Sequence, residues 1–91
     1  MGLLQVELTI PSADSLKAKR MVLRSIKDRI RKNFNVSIAE VEDNDQWQSA
    51  VLAVALVSND KRFANQVLSK VVDFIESSRD LVVDDYQLGF C

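Results

Sequence analysis

The sequence predicts a single α+β domain in which two helices cover one face of a four-stranded antiparallel sheet. Four segments carry strand-like apolar patterns, and two others carry apolar residues at helical spacing. The order is strand, helix, strand, strand, helix, strand, with no repeat, low-complexity stretch or linker between segments. The 91 residues fit one domain, and an apolar content of 47% is enough to form a packed core.

The spacing of apolar residues defines the first strand and the first helix. From Leu3 to Ile10 they alternate, which predicts a strand that ends at Pro11. From Leu16 to Asn33 they recur with a period of 3.6 residues, which predicts a helix. Three residues before this helix offer side-chain oxygens for its N-cap, namely Ser12, Asp14 and Ser15.

The second and third strands follow directly along the chain. β-branched residues between Val36 and Glu42 favour a strand, and Asp43-Asn44-Asp45 favours a turn after it. The segment from Ala50 to Val57 is apolar on both faces. We therefore expect it to be the most central strand of the sheet.

The second helix and the last strand complete the pattern. Ser58-Asn59-Asp60 precedes a helix that runs to about Ser77. Its predicted buried stripe consists of Phe63, Val67, Leu68, Val71, Phe74 and Ile75. The strand from Leu81 to Leu88 carries Asp84 and Asp85 in its middle, which is typical of an edge strand. This βαββαβ order predicts a ferredoxin-like split βαβ sandwich, with the first and third strands central.

The residues that most enzymes use are scarce. The sequence has no His, which is the commonest general base, and its one cysteine, Cys91, cannot form an internal disulfide. Glycine occurs only at Gly2 and Gly89, so there is no glycine-rich phosphate loop. The spacing of the acidic residues matches no calcium-binding loop. We therefore expect a non-enzymatic protein with no catalytic residues, no metal and no cofactor.

The sequence also indicates where the protein works. Its N-terminal segment has no basic start, and Glu7 interrupts the apolar stretch, so we expect no signal peptide. No apolar run approaches the ~20 residues of a membrane-spanning helix. We expect a cytoplasmic protein with no membrane partner.

Three short segments carry a family resemblance. They are Ser-Leu-Lys-Ala-Lys-Arg at Ser15 to Arg20, Phe-Asn-Val-Ser at Phe34 to Ser37, and Val-Ser-Asn-Asp at Val57 to Asp60. With Trp47-Gln48 between them, they resemble the YlxP-like family of small bacterial proteins, whose biochemical function is unassigned. The resemblance implies a ferredoxin-like fold. Genes of this family often lie near genes for translation initiation and ribosome maturation factors, which implies a role near the ribosome. The resemblance brings no catalytic residues.

Charge is distributed unevenly along the chain. Residues 1–33 contain eight cations and three anions, a net charge of +5, whereas residues 34–91 contain four cations and ten anions, a net charge of −6. On a helical wheel at 100° per residue, one stripe of the first helix holds Lys17, Arg20, Arg24, Lys27 and Arg31. Such a stripe has the form of a surface that follows phosphates, although a solvated face paired with acidic neighbours is the alternative.

The start of the first helix is unusual in its charge. Cations at a helix N-terminus are disfavoured by about 0.3–1 kcal/mol each, yet Lys17, Lys19 and Arg20 all lie there. Lys19 also falls on the apolar face of the wheel. A phosphate would satisfy these cations, and an acidic residue on the sheet or on a neighbouring chain is the alternative.

The sheet face away from the helices has its own features. In the third strand Val51, Ala53, Ala55 and Val57 alternate with Ala50, Leu52, Val54 and Leu56, so one set must lie on the uncovered face. We expect Val51, Ala53, Ala55 and Val57 to form a homodimer interface, with Trp47 as a contributor. The central strands carry no aromatic residue to stack bases, and we interpret Trp47 as a core or interface residue rather than a stacking platform.

Two functions follow from these features. The first is a small RNA- or ribosome-associated binding protein that contacts phosphates through its first helix. The residues expected to bind are Lys17, Lys19, Arg20, Arg24, Lys27 and Arg31. The second is a homo-oligomeric interaction or regulatory module with a protein partner or a small anionic ligand.

Overall fold

A computed structural model describes residues 1–42 and 45–90, and its elements follow the predicted order. The strands are β1 (Gly2–Thr9), β2 (Ser37–Glu42), β3 (Ser49–Leu56) and β4 (Val82–Phe90). The helices are α1 (Leu16–Asn33) and α2 (Lys61–Glu76). The predicted turn at Asp43 and Asn44, and Cys91, lie outside the described residues.

The four strands form one antiparallel sheet in the order β2-β3-β1-β4. This order places β1 and β3 at the centre and β2 and β4 at the edges, as the sequence predicts. Both helices lie on one face, with α2 packed over β1 and β4 and α1 nearest β2. The predicted ferredoxin-like split βαβ sandwich is therefore confirmed.

Local side-chain hydrogen bonds fix where each helix begins. Ser15 is the N-cap of α1, because its Oγ accepts a hydrogen bond from the backbone N–H of Ala18 at 3.1 Å. Asp60 is the N-cap of α2, and its Oδ1 accepts from the N–H groups of Arg62 at 2.9 Å and Phe63 at 3.2 Å. The helices thus begin where the sequence places their caps.

The core lies between the sheet and the two helices. From the central strands it takes the alternate residues Leu4, Val6, Leu8, Ala50, Leu52, Val54 and Leu56. From the helices it takes Leu23, Ile26, Ile30, Ala64, Leu68, Val71, Val72 and Ile75. The prediction that Phe63 belongs to the buried stripe of α2 is wrong, because its side chain is 52% exposed. The adjacent Ala64 takes that buried position, one residue along the first turn of α2.

Both edge strands pair irregularly with the central strands. The pairing of β4 with β1 shifts register between Glu7 and Leu8, and there Thr9 Oγ1 donates a hydrogen bond to Asp84 Oδ2 at 2.5 Å. The pairing of β2 with β3 shifts between Glu40 and Glu42. Such bulges interrupt an edge that could otherwise pair with another chain.

In the described part of the chain, neither helix is apolar over a length that would cross a bilayer.

Candidate functional site

Lys19 is buried beneath α1 rather than displayed on it. Its side chain is 1% exposed, and its Nζ lies 2.8 Å from Glu40 Oε2. The same ammonium donates a hydrogen bond to the backbone carbonyl of Gln46 at 2.7 Å. Glu40 pairs with Leu52 across the sheet and therefore points to the helix-covered face.

This geometry decides between the two explanations for Lys19. The acidic partner on the sheet is present, and no surface of the ammonium is open to an external phosphate. The expectation that Lys19 binds nucleic acid is therefore corrected. Its apolar wheel position reflects a long stem packed in the core, with the charge neutralised at the end of that stem.

Arg31 also has a structural contact. Its Nη2 donates a hydrogen bond to the backbone carbonyl of Ile38 at 2.9 Å, and its Nη1 lies 3.5 Å from Asp28 Oδ1. The guanidinium is about half exposed and keeps donors free to face solvent. Because Ile38 belongs to the edge strand β2, this contact shows that this flank of α1 lies on the β2 side of the molecule.

The remaining cations of the predicted stripe lie at the surface. Lys17, Arg20 and Arg24 are exposed and Lys27 is half-buried. Within residues 1–42 and 45–90, none of these four side chains forms an ion pair. We call the set Lys17, Arg20, Arg24 and Lys27 the basic stripe. It covers about 15 Å along the helix axis, at 1.5 Å per residue.

The helix itself offers the stripe no compensation at its N-terminal end. The first turn of α1 contains no acidic residue, and Asp14, directly before the N-cap, forms no ion pair with Lys17 or Arg20. These two cations therefore lie near the positive end of the helix dipole without an ion-pair partner in the described chain. By contrast, Arg31 and Lys32 lie in the last turn, where the dipole favours cations. An external anion near Lys17 and Arg20 would relieve this unfavourable placement.

The sheet face opposite the helices is open and mostly made of small side chains. Ala53 and Ala55 are half-buried, and shallow depressions lie over them and over Gly89. Val51 is 3% exposed and so is already covered within the chain, whereas Val57 lies beyond the end of β3 and is 85% exposed. Of the residues predicted to form the interface, Val51 is therefore covered within the chain, whereas Ala53, Ala55 and Val57 have surface open to a partner.

Acidic residues occupy one end of this open face. Glu7 of β1 pairs directly with Asp85 of β4, and both are exposed. Like charges in directly opposed positions are destabilising in an antiparallel sheet. The other end of the face is apolar at Leu3, which is 38% exposed and pairs with Gly89.

Trp47 lies in the loop between β2 and β3 and is 55% exposed. Of the two roles expected for it, this exposure excludes a core side chain, and an interface residue stays a prediction. Sequence reasoning also missed the role of the neighbouring Gln48. Gln48 Nε2 donates to the backbone carbonyls of Pro11 at 3.1 Å and Ala13 at 3.2 Å, and so joins this loop to the one before α1.

These features define a ferredoxin-like α+β sandwich with an exposed basic helix flank and an open sheet face. The chain belongs to the DUF503 family, described as proteins of unknown function, whose family model matches residues 1–88. It is 39% identical over 77 residues to the uncharacterized protein YlxP of Bacillus subtilis (strain 168), and the match covers 85% of this chain and 84% of that protein. The predicted YlxP-like family membership is confirmed.

A solved structure supports the fold independently of the family. The solution NMR structure of a de novo designed protein with a ferredoxin fold, LFR1 1, superposes with a TM-score of 0.50. The match covers 97% of this chain and 80% of the designed chain at 13% identity. At this identity the likeness concerns the fold alone.

Proposed function

We propose that this protein is a non-enzymatic RNA-binding protein, and that it contacts phosphates of ribosomal RNA through the basic stripe of α1. One observation carries the proposal. Four cations lie together on one helix flank with no anionic partner in the described chain, although the protein as a whole has a net charge of −1. Arg31 extends the same flank toward the end of the helix.

The physical basis is release of counterions from the nucleic acid. Each phosphate that a Lys or Arg side chain neutralises frees condensed cations, which favours binding at low salt. For phosphate binding, the charge of the local surface matters more than the net charge of the protein, because salt screens each charge beyond about 8 Å at physiological ionic strength. The acidic residues of the open sheet face lie on the other side of the sheet from the helices. Such a surface positions a backbone and reads little sequence.

The experiment is co-sedimentation of the protein with ribosomal subunits and with bare ribosomal RNA, at low and at physiological salt. The test variant removes the basic stripe through Lys17→Gln, Arg20→Gln, Arg24→Gln and Lys27→Gln. The matched control removes the same number of exposed cations from α2 and its surroundings through Lys61→Gln, Arg62→Gln, Lys70→Gln and Arg79→Gln. Both variants have the same net charge.

We expect the parent and the control variant to sediment with RNA, and the test variant to stay in the supernatant. Equal loss of binding in both variants would show that only net charge matters, and would overturn the assignment to α1. Absence of binding by the parent at low salt would overturn RNA binding altogether. Circular dichroism of all three proteins checks that the fold is intact.

A second candidate function is a homodimeric interaction module, favoured by the open sheet face. Ala39, Ala53, Ala55 and Gly89 lie on this face and permit close approach of a second sheet. Four strands of about eight residues give a face of roughly 19 by 27 Å, so two copies would bury on the order of 1,000 Å². This lies just below the usual range of specific interfaces, which indicates a weak dimer.

Sedimentation equilibrium tests this candidate. Ala39 is exposed on an edge strand, so Ala39→Glu leaves the fold intact while it places a charge on the face. We expect the parent to dimerise at high micromolar concentration and the variant to remain monomeric. A parent that is monomeric throughout would exclude the open face as a self-association surface.

A further inference from the structure

Trp47 is the single tryptophan of the chain and one of its most exposed large apolar side chains. More than half of the surface of this residue stays in contact with water, so burial within the chain uses only part of its apolar area. A large aromatic side chain with this exposure is available for contact with a ligand.

The loop that carries Trp47 is held on both sides of the ring. Before it, the carbonyl of Gln46 accepts a hydrogen bond from the buried Lys19 at 2.7 Å. After it, the carbonyl of Gln48 accepts from the N–H of Ile10 at 2.8 Å, while the side-chain amide of Gln48 binds the loop before α1. The backbone at Trp47 is thus fixed before any ligand arrives. A loop whose backbone is already ordered loses little backbone entropy on binding.

These same contacts place Trp47 at the end of α1 where the basic stripe begins. Lys19, which holds the carbonyl of Gln46, lies between Lys17 and Arg20 in the chain. The carbonyls of Pro11 and Ala13 that hold Gln48 directly precede the N-cap of α1. The exposed Trp47 and the first cations of the basic stripe, Lys17 and Arg20, therefore lie at the same end of the molecule.

The surroundings of the ring suit a base better than a phosphate. A depression of about 410 Å³ beside it is lined by Asp45, Gln46, Trp47, Gln48 and Ser49. The carboxylate of Asp45 repels phosphate, whereas carboxylate, amide and hydroxyl groups can pair with the polar edge of a base. The chemistry of the two surfaces therefore favours phosphate contacts on α1 and base contacts on the β2–β3 loop.

We propose that Trp47 stacks on an unpaired base of single-stranded RNA whose backbone follows the basic stripe. This inference rests on the proposed RNA-binding function and deepens it, because it makes single strands or loops the ligand rather than duplex. Aromatic stacking and a cationic groove are the two parts from which single-strand sites are built. A base inside a duplex has no free face to offer the ring.

The experiment follows the emission of Trp47, which reports this position alone because the chain has no other tryptophan. The full chain is titrated with a 12-nucleotide poly(A) RNA, with a 12-base-pair RNA duplex, and with inorganic polyphosphate. Trp47→Ala and Trp47→Phe are compared with the parent by anisotropy of labelled RNA. The exposed position makes both substitutions compatible with the fold, which thermal unfolding checks.

We expect poly(A) to quench and shift the emission of Trp47, and polyphosphate to bind without that change. Trp47→Ala should weaken poly(A) binding by about five- to 150-fold, the equivalent of one stacked base. Trp47→Phe should retain most of the affinity, and all three proteins should bind polyphosphate equally.

Two results would overturn the stacking role while leaving phosphate binding intact: unchanged affinity of Trp47→Ala for poly(A), or equal quenching by duplex. Emission that changes with protein concentration alone would assign Trp47 to an interface between copies and also overturn the proposal. Failure of all three polyanions to bind would instead reject the proposed function itself.

Discussion

Lys19 of α1 and Glu40 of β2 form an ion pair beneath the helix, with Nζ and Oε2 2.8 Å apart. The pair joins the helix to an edge strand, and the additional hydrogen bond from Lys19 to the carbonyl of Gln46 joins both to the β2–β3 loop. Burial of an ammonium is costly unless its charge is paired and its protons are bound. The ion pair compensates the charge of Lys19, the hydrogen bond binds one of its protons, and the two contacts together position the loop that carries Trp47.

Replacement of Lys19 by Ala should destabilise the protein strongly. The change leaves the carboxylate of Glu40 without its cation in a largely covered site, and it opens a cavity where the lysine stem packs. We expect the free energy of unfolding to fall by about 3–5 kcal/mol. Urea unfolding followed by circular dichroism measures the loss.

The double variant Lys19→Met, Glu40→Leu is the control for this prediction. It removes both charges and keeps the volume, so we expect most of the lost stability to return. A double variant as unstable as Lys19→Ala would show that packing, rather than the unpaired carboxylate, dominates the loss.

Arg31 should contribute to stability, whereas Arg24 should not. Arg31→Met removes the hydrogen bond to the carbonyl of Ile38, which we expect to cost about 1 kcal/mol because the guanidinium is half exposed. Arg24→Met removes an exposed cation with no ion pair in the described chain and should change stability by less than ~0.5 kcal/mol. Equal effects in urea unfolding would contradict this division of the helix flank.

The fold could be predicted from the sequence because each helix and strand has its own local pattern of apolar residues. The alternation in β1, the 3.6-residue period in α1 and the apolar run of β3 each predict one element, and a βαββαβ order leaves few compact topologies. Helix starts were also predictable, since Ser15 and Asp60 act only on the next turn. The position of β4 at the edge of the sheet was predicted from its charged residues, Asp84 and Asp85.

The site was harder to predict because its contacts join residues far apart in the chain. The partner of Lys19 lies 21 residues away, and that of Gln48 lies 35 residues away. One signal was available in the sequence. Glu40 lies two residues after Ile38 in β2, so the two side chains point to the same face of the sheet, the one that the helices cover. Nothing in the spacing showed that Trp47 stays exposed, because its loop is ordered by these distant contacts.

Gln48 should determine how rigidly Trp47 is presented. Gln48→Ala removes two hydrogen bonds, to the carbonyls of Pro11 and Ala13, and weakens the attachment of the β2–β3 loop to the loop before α1. We expect faster hydrogen exchange of the Ile10 amide, which donates to the carbonyl of Gln48, with the global stability lowered by about 1 kcal/mol. Unchanged exchange at Ile10 would show that the backbone contact alone fixes the loop.

The two glycines should respond in opposite ways to the same substitution. A Cβ at Gly2 would lie 3.0 Å from Leu68 Cδ1 and 3.3 Å from Ala64 Cβ, both in the buried face of α2. We expect Gly2→Ala to destabilise the protein by about 1–3 kcal/mol through overpacking. Gly89→Ala meets no atom within 4 Å, and it should be neutral or stabilising by up to ~1 kcal/mol in β4. Thermal unfolding of the two single variants gives the comparison.

The salt dependence of RNA binding should reveal how many cations of the basic stripe meet phosphates. For single strands the slope of log K against log[salt] is about −0.7 for each phosphate neutralised, so four contacts predict a slope near −3. Arg24→Gln should reduce the magnitude of that slope by about 0.7, since it removes one contact from the middle of the stripe. Lys70→Gln removes an exposed cation from α2 and should leave the slope unchanged. If both variants shift the slope equally, RNA senses the charge of the whole protein and α1 is not the site of contact.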